Sequence, residues 1–199
     1  MTEHTIPCET FARLCNVLKY LPRADPWCNS VRLEQNLAIV TNREYLVIER
    51  IDNPATEPLH VIADPVLIEQ CRTEATYHSK LHIAANSMLR YAALKTSMGY
   101  QFPGNAGLYL DAPCDLERWR SVIPTTMAKK AKGSMCLEAG ALANIALSSP
   151  SGRITLPEHV DWSVPVVARD AVDPNWCAFF YVREADNPHE PATIPGWLK

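Results

Sequence analysis

Three segments of this 199-residue chain repeat one step. HTIPCETFARLCNVLKYLP, LHVIADPVLIEQCRTEATY and SMCLEAGALANIALSSP each open as a short alternating strand. Each then turns within two to four residues and continues as an amphipathic helix. Ile6 to Phe11, Ile62 to Leu67 and Leu137 to Leu142 are each five residues apart, and Cys15, Cys71 and Ala146 lie four residues further on. Asp64 followed by Pro65 is an N-cap and first-turn pair, and Pro22 and Pro150 close the first and third helices.

The text after each helix is alike in kind. NSVRLEQNLAIVTNREYLVIER reads as two strands: Val31, Leu33, Leu37 and Ile39, then Leu46 and Ile48, keep a period near two. Glu34 to Asn36 and Thr41 to Glu44 supply its turns. KLHIAANSMLRYAALKTSMGYQF follows the second helix with two or three strands, and RITL, VPVVARD and WCAFFYVRE follow the third. The unit is strand, helix, then two or three strands, three times over, and repetition of a supersecondary unit constrains the fold strongly. It predicts an α+β fold with antiparallel sheets and helices on one face. The expected organisation is a domain of two half-repeats over residues 1–112, a linker over 113–132 and a third half-repeat over 133–185. The linker holds a short helix or turn around Leu116 to Trp119, and residues 186–199 form a proline-rich flexible tail.

Composition narrows the function. Apolar residues make up 47 % of the chain, enough for one large or two small cores. With 19 basic against 22 acidic residues the net charge is -3, which argues against a globally basic nucleic-acid binder but not against a local basic face. No apolar run approaches a membrane span, and MTEHTIPCETF has no apolar core of a secretory signal, so a cytoplasmic protein without a membrane partner is expected. Seven scattered cysteines with no CxxC pair fit buried free thiols in a reducing compartment.

Catalytic patterns are weak. No G-x-S-x-G, P-loop or G-x-G-x-x-G occurs. His78 and His82, with Cys71 near, have metal spacing only if helical, and Ser79 to Ile83 reads as a strand start. Asp111, Asp115 and Glu117 sit in the proline-flanked linker, where capping by Asp115 is the simpler role. No enzyme, cofactor or metal is expected.

FARLCNVLKYLPRADPWCNSVRLEQNLAIVTNREYLVIER resembles the opening half-domain of bacterial DNA sliding clamps, the beta subunit of the replicative polymerase: a helix, a bend with Arg and Pro, then an asparagine leading paired strands. VIADPVLIEQCR resembles the second half-domain's helix start, and the text to CDLERWRSVIP resembles its linker. GSMCLEAGALANIAL with AFFYVRE is similar to the last half-domain. The resemblance spans roughly residues 5 to 185. A bacterial clamp has six half-domains, and three are found here, as in a shortened clamp-like protein of a phage or plasmid.

The resemblance implies a clamp-like fold and a non-enzymatic, homo-oligomeric scaffold around duplex DNA in replication or repair. Its subunits would pair through sheet edges, and partner proteins would dock hydrophobic peptides between subdomains. The helix cations Arg13, Lys19 and Arg72, with Arg23 and Lys80 just beyond helices and Lys129, Lys130 and Lys132 in the linker, would then meet phosphate without reading bases. Arg23 and Arg72 match DNA-facing positions best. The plainer reading makes all of these solvated surface charges. Trp197 in the tail is either a docking anchor for a partner or folded back on its own surface. The other function class is a clamp-fold interaction protein that binds or inhibits a host protein without encircling DNA. The acidic balance and the cation-free third helix favour it.

Overall fold

The structure is a computed structural model and describes residues 2–18, 28–42, 44–54, 57–75, 79–85, 90–96, 99–101, 109–110, 119–124, 135–136, 138–157 and 164–184. The first unit is β1 (Thr2–Pro7), α1 (Cys8–Leu14) with a 3₁₀ turn at Cys15–Val17, then β2 (Ser30–Glu34), β3 (Leu37–Thr41) and β4 (Tyr45–Arg50). The second is β5 (Leu59–Ile62), α2 (Pro65–Ala75), β6 (Lys80–Ala85), β7 (Arg90–Thr96) and β8 (Gly99–Gln101), followed by β9 (Tyr109–Leu110). A 3₁₀ turn at Arg120–Val122 precedes the third: β10 (Met135–Cys136), α3 (Ala139–Ser148), β11 (Ile154–Thr155), β12 (Val166–Asp170), β13 (Trp176–Phe180) and β14 (Arg183–Glu184). The α+β reading and the threefold strand–helix step are both present.

Two details differ from expectation. The segment read as two strands is a three-stranded meander, because Gln35 takes a left-handed φ of 50° and Asn36 completes a turn of two residues. The second turn is held by Asn42, whose Oδ1 accepts from the backbone N–H of Glu44 (3.0 Å) and Tyr45 (3.1 Å). No turn separates β1 from α1: Pro7 ends the strand, and the Cys8 N–H donates to the Ser79 carbonyl at 2.9 Å instead of waiting for a side-chain cap. At α2 the expected cap is present, with Asp64 Oδ1 accepting from the N–H of Val66 (2.8 Å) and Leu67 (3.2 Å).

The sheets interleave. β1 runs antiparallel beside β6, giving the order β1-β6-β7-β8, so the first unit lends a strand to the second. β5 runs antiparallel beside β2, so the second unit lends one back. The receiving sheet then continues through β4 into β13, giving β11-β12-β13-β4-β3-β2-β5-β9 in one eight-stranded sheet.

The main core lies between these sheets and the helices. Ile6, Leu81 and Ile83 come from the smaller sheet, and Val31, Leu33, Val40, Val47, Trp176 and Ala178 from the larger. Phe11, Leu14, Leu67, Cys71 and Ile145 close it from α1, α2 and α3. Burying a side chain of this size contributes about 1.5–3 kcal/mol each. The larger sheet's other face carries a second cluster, Ile39, Leu46, Ile48 and Phe179, covered by Trp119. Cys8, Cys15, Cys28 and Cys71 are buried free thiols. No helix among the described residues is long and apolar enough to cross a membrane.

Candidate nucleic-acid interface

The three helices form the surface on which phosphate contacts were expected. α1 lies between α2 and α3, with α3 against the 3₁₀ turn that follows α1. Side chains tie the layer together where backbone groups need partners. The last carbonyls of α3 have no partner within the helix. Arg13 donates to the Ser148 carbonyl, and Asn16 Nδ2 donates to the Leu147 carbonyl at 3.3 Å. A cation at a helix C-terminus also complements the helix dipole. Asn16 Oδ1 in turn accepts from Arg72 Nη2 at 3.4 Å, which links α2 to the same line.

This geometry separates the predicted cations. Arg13 turns inward: Nη2 meets Glu49 Oε1 at 2.8 Å, its side chain is 12 % exposed, and Thr10 Oγ1 donates to the same carboxylate oxygen at 3.0 Å. Arg72 stays in solvent with its side chain 54 % exposed, beside Glu69 at 3.4 Å. Lys80 lies at the start of β6, opposite Pro7, with Nζ 3.5 Å from the exposed Asp52. Lys19, Arg23, Lys129, Lys130, Lys132 and Trp197 lie outside the described residues, as do His78, Asp111, Asp115 and Glu117. The described helices carry two arginines, Arg13 and Arg72, against three glutamates, Glu9, Glu69 and Glu74; α3 has no charged residue.

Beside Arg72 is a cleft of about 200 Å³ lined by Cys15, Leu18, Asn29, Ala63, Pro65, Ile68 and Arg72. Burial pushes the Cys15 thiol well above its ordinary pKa, with Arg72 opposing, which favours the protonated thiol. Among the described residues no group of three or more His, Cys, Asp or Glu side chains could hold a metal.

A polar cluster on the other face of the larger sheet was not anticipated. Arg32 is 1 % exposed, bonds Glu34 Oε2 through Nε at 2.9 Å and lies 3.0 Å from His60 Nε2. His60 Nδ1 is 2.9 Å from Ser30 Oγ. Arg120 Nη2 reaches Glu34 Oε1 at 2.6 Å, and the Arg120 guanidinium stands 4.5 Å above the Trp119 ring. Burial pushes the Glu34 carboxyl up, but the hydrogen bonds from Arg120 and Arg32 outweigh it and hold it below the usual range. The cluster pins residues 119–123 to the sheet. Its alternating polar positions, Ser30, Arg32 and Glu34, were the only sequence sign of it. Ser30 and His60 are both buried.

Interleaved half-units, antiparallel sheets and a helix layer are now established, and solved structures share the arrangement. The chain is similar to a DNA polymerase sliding clamp from Pseudomonas aeruginosa, with TM-score 0.63 at 9 % identity over 92 % of this chain and 67 % of that one.

The fold is the DNA-clamp fold.

The clamp fold is shared with the DNA polymerase III beta subunit of Thermotoga maritima (TM-score 0.56, 9 % identity, 98 % of this chain and 68 % of that one). A sliding clamp from Bacillus subtilis gives 0.53 at 10 % identity over 92 % of this chain and 64 % of that one. No protein-family model matches the sequence, and no curated protein matches it either.

Proposed function

We propose that this chain is a non-catalytic, clamp-like scaffold of DNA replication or repair that works as a homo-oligomer around duplex DNA. The observation that supports this best is the sheet running unbroken through β4 and β13. It joins the third unit to the first pair and sets α2, α1 and α3 side by side as one track. A track of helices with few directional donors suits sequence-independent sliding, in which cations meet phosphate and leave bases unread. In this reading Arg72 and Lys80, with Lys19, Arg23, Lys129, Lys130 and Lys132, supply the cations, and Arg13 serves the fold through Glu49. Polymerase-type partners dock hydrophobic peptides on the assembled scaffold, and Trp197 is the chain's own docking anchor.

Retention on circular against linear duplex DNA tests this. A ring threaded by DNA stays on a closed circle and runs off a linear end, and its loading falls with salt. Arg72→Glu should lower retention several-fold. No association with either DNA at low salt would sink the proposal. That outcome would move the function to the second reading, a clamp-fold protein that binds another protein without encircling DNA. The two arginines against three glutamates on the helices, and the uncharged α3, favour that reading.

A further inference from the structure

β5 is the strand that the second unit lends to the first, and His60 sits inside it. Its cross-strand partner on β2 is Arg32, and on its other side lies Leu110 of β9. His60 and Arg32 are both almost wholly buried. The contact between them fixes the state of the ring. Arg32 Nη1 lies 3.0 Å from His60 Nε2. A guanidinium only donates, so Nε2 accepts and carries no proton. The ring is therefore neutral, with its proton on Nδ1, which donates to Ser30 Oγ at 2.9 Å.

The charges around this ring leave no room for a second proton. On β2 they are Arg32 and Glu34, and the turn above the sheet brings Arg120, which shares Glu34 with Arg32. One carboxylate thus faces two guanidiniums. β9 places the uncharged Leu110 opposite the ring, and β5 has no other titratable residue. Asp111, next in the chain after β9, lies outside the described residues. A proton on Nε2 would set an imidazolium against the Arg32 guanidinium, and like charges directly opposite across two strands destabilise the pair. Burial removes the water that would screen them.

We propose that His60 is an acid-sensitive latch between the first two units: protonating its ring separates β5 from β2 and lets the turn at residues 119–123 leave the sheet. One side chain couples the two events. Arg32 serves His60 through Nη1 and Glu34 through Nε, and the other oxygen of Glu34 holds Arg120. Displacing Arg32 loosens that anchor, and Trp119 then uncovers Ile39 and Ile48 on the sheet. The latch depends neither on DNA nor on oligomeric state, so it goes beyond the function above. Its sign follows from proton counting. The closed ring binds one proton fewer than the open ring. Opening is therefore favoured as pH falls below the ordinary imidazole value of about 6.5, by up to about tenfold per unit. Above that value the latch stays closed. His4 is a second buried histidine, held below its ordinary range by burial against the pull of Glu57, but it lies on β1 in the other sheet.

The test is amide hydrogen exchange of the full chain at about pH 7.5 and about pH 5, corrected for the pH dependence of intrinsic exchange. In wild type, residues 59–62 and 119–123 should exchange roughly tenfold or more faster at the lower pH, while β3 and β4 keep their protection. His60→Gln offers Arg32 a carbonyl oxygen and takes no proton, so both segments should exchange alike at the two pH values. His4→Gln should keep the wild-type response in these segments. If His60→Gln loses its thermal transition, the wild-type imidazole is followed by nitrogen NMR, and proton uptake at Nε2 must track the rise in exchange. The proposal is overturned if the two segments stay protected at the lower pH, if the whole sheet opens at once, or if a folded His60→Gln chain keeps the acid response.

Discussion

Arg13 and Glu49 meet where α1 crosses β4, and each depends on the other for charge. Removing one partner leaves the other uncompensated in a site where both side chains are largely buried. Arg13→Met should therefore cost about 3 kcal/mol in urea unfolding, and Arg13→Met with Glu49→Leu should cost much less. Equal losses in the single and double variants would show that the pair does not matter as a pair. Asp170 is a second such residue. Its carboxylate accepts from the hydroxyls of Ser149 and Ser151 and from the N–H groups of Ser151, Val172 and Asp173, which binds the end of β12 to the turn after α3. Burial pushes its carboxyl up, but these donors outweigh it and hold it far below the ordinary range. A carboxyl held low in the fold stabilises above its unfolded pKa of about 3.9, and that stabilisation is lost as pH falls below this value. Asp170→Asn should lower the melting temperature at pH 7, and the gap from wild type should narrow below about pH 4. A gap constant across that range would contradict the assignment.

At the scale of single elements the cap on α2 makes the simplest test. Asp64→Ala frees the N–H groups of Val66 and Leu67 and should cost about 1 kcal/mol by thermal denaturation. This cap was legible because Asp-Pro before an apolar periodic run carries its mechanism in adjacent residues. The three strand–helix steps were legible for the same reason. What spacing could not show was partnership. Nothing local to Thr2 points to Ala85, and nothing near Leu46 points to Phe179, because these pairings close loops of many residues. The meander was read as two strands since a glutamine in the left-handed region gives little signal of a tight turn. Among candidate site residues, Arg13 read as a solvent cation because its position on α1 says nothing of a carboxylate on a later strand. Arg72 lies as exposed as the sequence suggested.

For the whole molecule, the interleaving decides when the structure can form. β1 has no sheet until β6 exists, with Thr2 paired to Ala85 and Pro7 to Lys80. The edge of β4 waits longer, for Trp176 to Phe180. On a ribosome, the hairpins of the first unit would emerge with an apolar strand edge uncovered, and most of the polypeptide must be made before that edge is sealed. Non-local pairing of this kind slows folding, and open strand edges invite association with other chains. Refolding from urea should therefore be slow and lose yield as protein concentration rises, and fast refolding at every concentration would speak against this. The strand exchange that ties the first two units into each other's sheets also makes the nascent form dependent on being left undisturbed until late in synthesis.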